Sequence, residues 1–561
     1  MENRFWANRR GELRLARILA AALVVALALA LGSCSGGDKA QGGDGSAGQG
    51  GDAAAGGTQN AGADVADGEL VIGIPGSLSS LDVNQEAGIL NYYVAAIVNE
   101  GLVSIGNDGK VIPALAESWS DEKGEVWKFK LRQGAKFSDG SPVTADDIIW
   151  SIERAQDPER SPGVSIYFPD YVKSAEKTAD DEITITLEGS HGGFIWAVSN
   201  SGGLFVNKKE WGEKAEAIGS QKDLLLGSGP YKAVEFEPGS HATFEASGTW
   251  WGGDASIPKV RFDFIEDDAT RLLAFTQGDI DFALNIPVDQ AEQWEKVDGA
   301  KVEYIADRSY YGLTFDPNVE PFGDEHIRKA VSYAINAKSI VEGSILKGRG
   351  TVATAITPPE QLAAALTLDA AKEKLGGITH YEYSIEKAKE ELAQSSRPDG
   401  FETTLYYPDT YQNAGKASLV IAESLKEIGI TLDVKEIPID QWLNEVGDGK
   451  QGVAWMIYFP TTAEPGEIAG WLLDAEGAGT NPANWTDAEA AKLAARILGA
   501  ESLEAEIEPT VQANEIAQKQ AIYAPVWWGQ SAVAYGGGVT VDGYGSFSLI
   551  SQNWPRLFSL G

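Results

Sequence analysis

The sequence predicts a mixed α/β protein folded in more than one lobe, and three observations carry that prediction. Short apolar runs of strand length alternate with amphipathic segments of helix length. Roughly 490 residues follow a low-complexity N-terminal part, more than one hydrophobic core usually serves. The composition, 43% apolar and 9% aromatic, supplies the surface that several cores would need.

Taken in order, the chain opens on a basic stretch in which Arg4, Arg9, Arg10, Arg14 and Arg17 outweigh Glu2 and Glu12. From Ile18 to Leu31 it contains only Ala, Leu, Val and Ile. That run is shorter than the roughly 20 residues needed to cross about 30 Å of hydrocarbon, so residues 1–33 read as a cleavable export signal. Leu31-Gly32-Ser33-Cys34 resembles the bacterial lipobox, whose cysteine is acylated and becomes the first mature residue. Cys34 is the only cysteine in the chain, so it closes no intrachain disulfide and forms no Cys-based zinc site. A lipid-acceptor role explains its place at the end of the apolar run. An ordinary signal-peptidase site is the alternative, and Arg9-Arg10 leaves a twin-arginine route open, although the residues after them fit that motif poorly.

Residues 34–67 are made almost wholly of Gly, Ala, Asp, Ser and Gln, without an aromatic residue. Such a stretch cannot bury enough surface to offset chain entropy. It reads as a tether with an r.m.s. reach of roughly 30 Å. The formal charge of −37 argues against nucleic acid as a partner, since phosphate recognition needs Lys and Arg, and against docking of the body on anionic lipid. The four histidines show no local metal-ligand spacing, and no cofactor is expected.

Within the body, Glu69–Ile74 reads as a buried strand followed by a Pro-Gly turn. Trp127–Arg132 alternates apolar and charged residues, as a half-buried strand does. Thr144 with Asp147 three residues later reads as a helix-start box opening a helix from Ala145 to about Ala155. Further helices are expected at Asp268–Gly278, His326–Ile340, Ser384–Leu392 and Lys416–Ile428. Strands are expected at Ile280–Leu284 and Ile428–Val434. No internal repeat is visible.

Several blocks then resemble one family. Pro113-Ala-Leu-Ala-Glu-Ser-Trp119, Phe129-Lys-Leu-Arg132 and Phe137-Ser-Asp-Gly-Ser-Pro-Val-Thr-Ala-Asp-Asp147 are followed, in the family's order, by Gly227-Ser-Gly-Pro-Tyr231 and Thr249-Trp-Trp-Gly252. Next come Arg271 to Asp281, Pro321-Phe-Gly-Asp324 with Arg328 through Asn336, Tyr383 to Leu392, and Leu425 to Ile430. Together they resemble the family 5 extracellular solute-binding proteins, the receptors of peptide- and nickel-type ABC importers, over roughly residues 69 to 560. The resemblance implies a type II periplasmic-binding-protein-like fold: two large lobes with a ligand cleft between them, and a smaller inserted domain. On that basis lobe I is 68–104, 225–308 and 529–561, the insert is 105–224, and lobe III is 309–528. It also implies a monomer that delivers its ligand to a membrane permease driven by separate ATPase subunits, since the chain itself has no phosphate loop.

Members that take free peptides hold the ligand's ammonium with an aspartate in a W-x-x-D-Y type segment. The matching stretch here is Trp455-Met-Ile-Tyr458-Phe-Pro460, with Tyr458 where the aspartate would be. A buried ammonium without a carboxylate costs several kcal/mol, which weighs against free oligopeptides unless Asp409 or Glu464 swings in. Residues matched to the family's lining segments are Tyr167, Asn285, Tyr310, Tyr311, Trp442, Trp455, Tyr458, Trp527 and Trp528. Flat rings at a cleft stack on sugars or apolar side chains, although any one tryptophan is more often a core residue. Met456 beside the anchor position has the same two readings.

The first expectation is a receptor for oligopeptides. An oligosaccharide or other uncharged solute is the alternative, favoured by Tyr458 and by the 16 tryptophans. An extracellular hydrolase is a weaker reading: among 82 acidic residues some carboxylate pair is inevitable, and neither Gly-x-Ser-x-Gly nor His-Glu-x-x-His appears in context. A sensor or adhesion lipoprotein on the same fold would differ only in its partner.

Overall fold

The computed structural model describes residues 68–561, apart from 87, 108, 166–167, 170, 410, 439–440, 443–450, 461, 474–480 and 552–553. The expected export signal and tether, Cys34 and Tyr167 therefore lie outside the described residues.

Strand Glu69–Ile74 forms where its apolar run places it, with Leu70, Ile72 and Ile74 fully buried. It pairs in parallel with Lys259–Phe264 on one side and Phe282–Ala283 on the other. These belong to a nine-stranded mixed sheet that continues through His241–Ala246 to Tyr231–Glu237 at one end. At the other end it runs through two long strands, Tyr523–Tyr535 and Lys301–Phe315, to the edge strand Val453–Tyr458. The two long strands pair antiparallel from Lys301↔Tyr535 to Thr314↔Tyr523, carrying one sheet out of the first lobe and into the second.

In the second lobe the sheet separates two apolar cores. Side chains alternate between the faces of a strand, so neighbouring rings part company. Leu313, Trp455 and Trp527 pack under helices Glu325–Ala334 and Gln412–Lys426, while Tyr310, Tyr523 and Trp528 pack under Ala488–Leu498 and Leu503–Lys519. A four-stranded antiparallel sheet, ordered Ala116–Glu122, Val126–Leu131, Glu182–Leu187, Val172–Ala179, forms the insert. In its second strand Trp127, Phe129 and Leu131 are buried while Lys130 is exposed, as the alternation predicts. Its apolar face joins the same core as Leu70, Ile72 and Ile74, so the insert packs continuously with the first lobe.

The helix expected after Thr144 is Ala145–Gln156, and both halves of the box are made: Asp147 N donates to the Thr144 hydroxyl, and Thr144 N to the Asp147 carboxylate. Asp268–Gln277 ends at Gly278, whose φ of +77° suits a residue without a side chain. Two expectations are corrected. The single helix His326–Ile340 is two, Glu325–Ala334 and Ala337–Glu342, because the Asn336 side chain accepts from Ser339 N at 3.0 Å and starts a new helix. The strand Ile280–Leu284 narrows to Phe282–Ala283, since the Asp281 carboxylate takes Val71 N at 2.8 Å and Asn285, at φ +46°, turns the chain away. No helix of the described residues is long and apolar enough to cross a membrane.

Candidate functional site

Where the sheet passes between lobes its register breaks. Ala306 faces Gln530 and Tyr310 faces Trp528, so Asp307, Arg308 and Ser309 stand against Gly529 alone. A Cβ on Gly529 would lie 2.1 Å from Ser309 Oγ, so a larger residue there would have to displace the Ser309 side chain. Arg308 adopts a left-handed φ of +65°, uncommon for a side chain of its kind. That turn places its guanidinium across the seam: it donates to Thr462 O of the second lobe and lies 3.9 Å over the Phe547 ring of the first. Burial lowers Arg308 to about 10, with Glu467 and Asp307 opposing the shift. Asp307 accepts from Ser309 N at 2.9 Å and Ser309 Oγ at 2.5 Å, and its carboxyl is raised by burial.

On the second lobe, Glu467 opens helix Glu467–Leu472 and is 6% exposed. Its Oε2 accepts from Thr462 N at 2.9 Å, Thr462 Oγ1 at 2.7 Å and Gln361 Nε2 at 3.4 Å, and its Oε1 accepts from Tyr458 OH at 3.3 Å. Glu464 is raised well above the usual carboxylate range by burial and by the neighbouring Glu506 and Glu467. Glu506 is raised by burial and by Glu467 and Glu504, against the lowering effect of the bond it accepts from Gly466 N at 3.0 Å. Four carboxylates and one guanidinium thus converge on the seam. Among the described residues, no group of three or more His, Cys, Asp or Glu is arranged to hold a metal ion.

The residues expected to line the cleft divide into two sets. Tyr310, Tyr311, Tyr458, Trp527 and Trp528 come together on three adjoining strands through Tyr310↔Tyr458, Tyr310↔Trp528 and Tyr311↔Trp527. Tyr311 is half-buried and stacks on Trp527 at 4.5 Å and 15°. Asn285 is exposed in the turn after Phe282–Ala283. Four of the expected rings are packed against protein in this conformation. Trp455 has no exposed surface and its indole N–H is held by Ser418 Oγ at 2.9 Å. Trp528 is held by Ala355 O at 3.1 Å. Tyr310 is fully buried, and Trp442 sits in the core under helix Gln412–Lys426. Met456 is half-buried and packs against the core that holds Tyr310.

Sequence reasoning missed Asp307, Arg308, Glu467 and Glu506. Only the i, i+3 spacing of Glu464 and Glu467 was there to be read, and nothing in the sequence announces a bulge that turns Arg308 inward. The seam is shut in this conformation. Gly192 N donates to Ala500 O at 2.6 Å, joining the insert to the second lobe. A Cβ on Gly193 would lie 2.4 Å from Glu464 Oε1, and Lys416 pairs with Asp289 at 3.5 Å.

Two lobes sharing a pair of crossing strands, with charged and aromatic groups gathered where they meet, form the kind of inter-lobe seam in which solute-binding proteins hold their ligands. Residues 110–480 match the family described as bacterial extracellular solute-binding proteins, family 5 Middle, and the chain belongs to that family. It is 26% identical to heme-binding protein A of Haemophilus influenzae over 74% of this chain and 78% of that protein. It is 31% identical to the dipeptide-binding protein DppE of Bacillus subtilis over 44% of this chain and 47% of that one. The structure of HbpA2 from Haemophilus parasuis superposes with a TM-score of 0.76 at 24% identity, covering 88% of this chain and 100% of that one. The fold is therefore the type II periplasmic-binding-protein arrangement expected from the sequence, and the relatives are solute-binding proteins rather than enzymes.

Proposed function

We propose that the chain is the substrate-binding lipoprotein of an ABC importer, anchored through Cys34 to the outer face of the cell membrane, and that it captures short peptides. In this reading 68–104, 225–308 and 529–561 form one jaw, 309–528 the other, and 105–224 an insert; closed on ligand, they present it to a permease and its ATPase. The observation that carries the peptide reading is the carboxylate of Glu467, 3.3 Å from the Tyr458 hydroxyl. Tyr458 stands where peptide-binding members of the family place an aspartate, and Glu467 returns a negative charge to that position. An arriving ammonium would displace the Tyr458 hydroxyl, whose bond is long for an O–H donor. Arg308 on the same seam offers the opposite charge for a carboxylate, so both ends of a zwitterion find a partner. A neutral sugar would leave these charges buried without return. The dipeptide-binding relative supports the same reading.

Thermal unfolding of the purified chain against a pool of di- to pentapeptides and a pool of oligosaccharides tests it. A peptide at ten times its dissociation constant adds about 1.4 kcal/mol, an upward shift that is easily read. A shift with the sugars and none with the peptides overturns the peptide reading. For the anchor, mass spectrometry of the membrane fraction is expected to find Cys34 as an acylated first residue, and an unmodified thiol behind an intact leader would contradict it.

A further inference from the structure

The loop at 462–467 is where the first lobe grips the second. Arg308, turned inward at the bulge, donates to Thr462 O. Ala463, 1% exposed, belongs to the same core as Leu70, Ile72 and Ile74, and its Cβ lies 3.6 Å from the Cβ that Gly109 would carry. Glu464 comes next, with its carboxylate against the backbone of Gly193 in the insert. Its Oε1 and Oε2 lie 2.4 Å and 2.9 Å from the Cβ that Gly193 would carry. Beside it Gly192 N donates to Ala500 O. Parting the lobes would break these contacts and return the Glu464 carboxylate to water.

The shut seam offers that carboxylate no compensation. The Glu464 main chain is held, its N donating to Thr462 Oγ1 at 3.1 Å and its O accepting from Gln361 Nε2 at 2.8 Å. Among the described residues, neither carboxylate oxygen accepts a hydrogen bond. The groups around it share its sign: Glu467 on helix Glu467–Leu472, and Glu506 with Glu504 on helix Leu503–Lys519, with the Tyr458 hydroxyl on the edge strand. The insert presents the backbone of Gly193, and His191 near it is stacked on Tyr171 at 3.7 Å. Arg308 directs its guanidinium to Thr462 O and the Phe547 ring, with Glu467, Asp307 and Glu360 as its own acidic neighbours. The bonds that hold Glu467 and Glu506, from Thr462, Gln361, Tyr458 and Gly466, come from the second lobe and persist when the jaws part. Of the three carboxylates, Glu464 is the one against which the insert closes.

We propose that Glu464 makes closure proton-linked: its carboxylate takes a proton from water as the jaws shut and returns it as they open. This rests on the reading of the chain as a pair of jaws and is independent of which solute they hold. The sign follows from the surroundings. In the shut seam, burial and then the charges of Glu506 and Glu467 raise Glu464 well above its ordinary 4.5, and in the open chain it falls back toward that value. Closure is therefore favoured in full below about pH 4.5 and loses that advantage as pH rises through the raised value.

Small-angle scattering of the ligand-free chain at pH 5 and pH 8 tests it in the wild type, Glu464→Gln and Glu464→Ala. One proton per closure changes the closed-to-open ratio by up to about tenfold per pH unit, so that ratio should be at least about tenfold higher at pH 5 in the wild type. Each variant should show the same distribution at both pH values, and Glu464→Gln should be more compact than the wild type at pH 8. A wild-type distribution that ignores pH, or a response undiminished in either variant, overturns the proton link. A single fixed shape in every sample, Gly192→Val included, overturns the reading as jaws and removes the link with it.

Discussion

Between pH 4.5 and pH 7 the folded chain is expected to lose about 3 kcal/mol of stability through Glu100 alone. Glu100 is fully buried and its carboxyl is pushed up from 4.5 to about 7. Burial is the largest cause, and hydrogen bonds from Ser228, Trp251 and Trp250 only partly offset it. The partners are at 2.9 Å for Ser228 Oγ, 2.9 Å for Trp251 Nε1 and 3.3 Å for Trp250 Nε1. Because the folded value lies above the unfolded one, the stabilisation is fully present below about pH 4.5 and is lost as pH rises through 7. Asp281, pushed up by burial from 3.8 to about 6, acts in the same direction. So do the raised carboxyls of Asp307, Glu464 and Glu506. Carboxylates held low by ion pairs or hydrogen bonds, such as Asp157 beside Arg160 and Asp267 at a helix start, lose their contribution only as pH falls through their depressed values, below 3.8. Urea unfolding should therefore give a higher midpoint at pH 5 than at pH 8. Glu100→Gln, whatever its absolute stability, should flatten that difference. An unchanged pH dependence in the variant would show that Glu100 is not its source.

Gly192→Val should hold the jaws apart. The Gly192 N–H reaches Ala500 O across the seam, and a Cβ there would lie 2.4 Å from Ser502 N and 2.6 Å from Ser502 Cα. Those are backbone atoms and cannot swing aside. Overpacking of this kind costs about 1–3 kcal/mol, and the cost falls on the closed state only. Ligand affinity should therefore drop about 5- to 150-fold, and the free chain should be more open in solution. Gly193→Ala is the control: its Cβ would meet Glu464 Oε1 at 2.4 Å, but that is the end of a flexible side chain and can move. Calorimetry with trialanine and small-angle scattering of the free chains would measure both variants. A Gly192→Val chain that binds as the wild type does, and is no more open in solution, would mean that this contact does not govern closure.

The Glu100 site also shows what linear reading could reach. Gly227-Ser-Gly-Pro-Tyr231 and Thr249-Trp-Trp-Gly252 were legible as separate blocks, yet Ser228, Trp250 and Trp251 all bond one carboxylate 128 to 151 positions away. Helix starts were legible because a cap is made by residues three apart, as Thr144 and Asp147 show. The aromatic pairs Tyr310-Tyr311 and Trp527-Trp528 were legible as site markers, but their two members face opposite cores. Which ring faces a ligand depends on strand register, and register is fixed by pairing partners hundreds of positions away.

By itself the sequence determined the α/β class, the family and the order of the main elements. All of these rest on local composition, short-range spacing or ordered blocks. Tertiary structure alone decided that Arg308 turns inward through a bulge opposite Gly529, that Glu467 supplies the carboxylate beside Tyr458, and that Trp455 belongs to the core. The physical reason is that desolvation, charge pairing and ring stacking depend on distance in space, and chain separation leaves that distance undetermined until the sheet has formed.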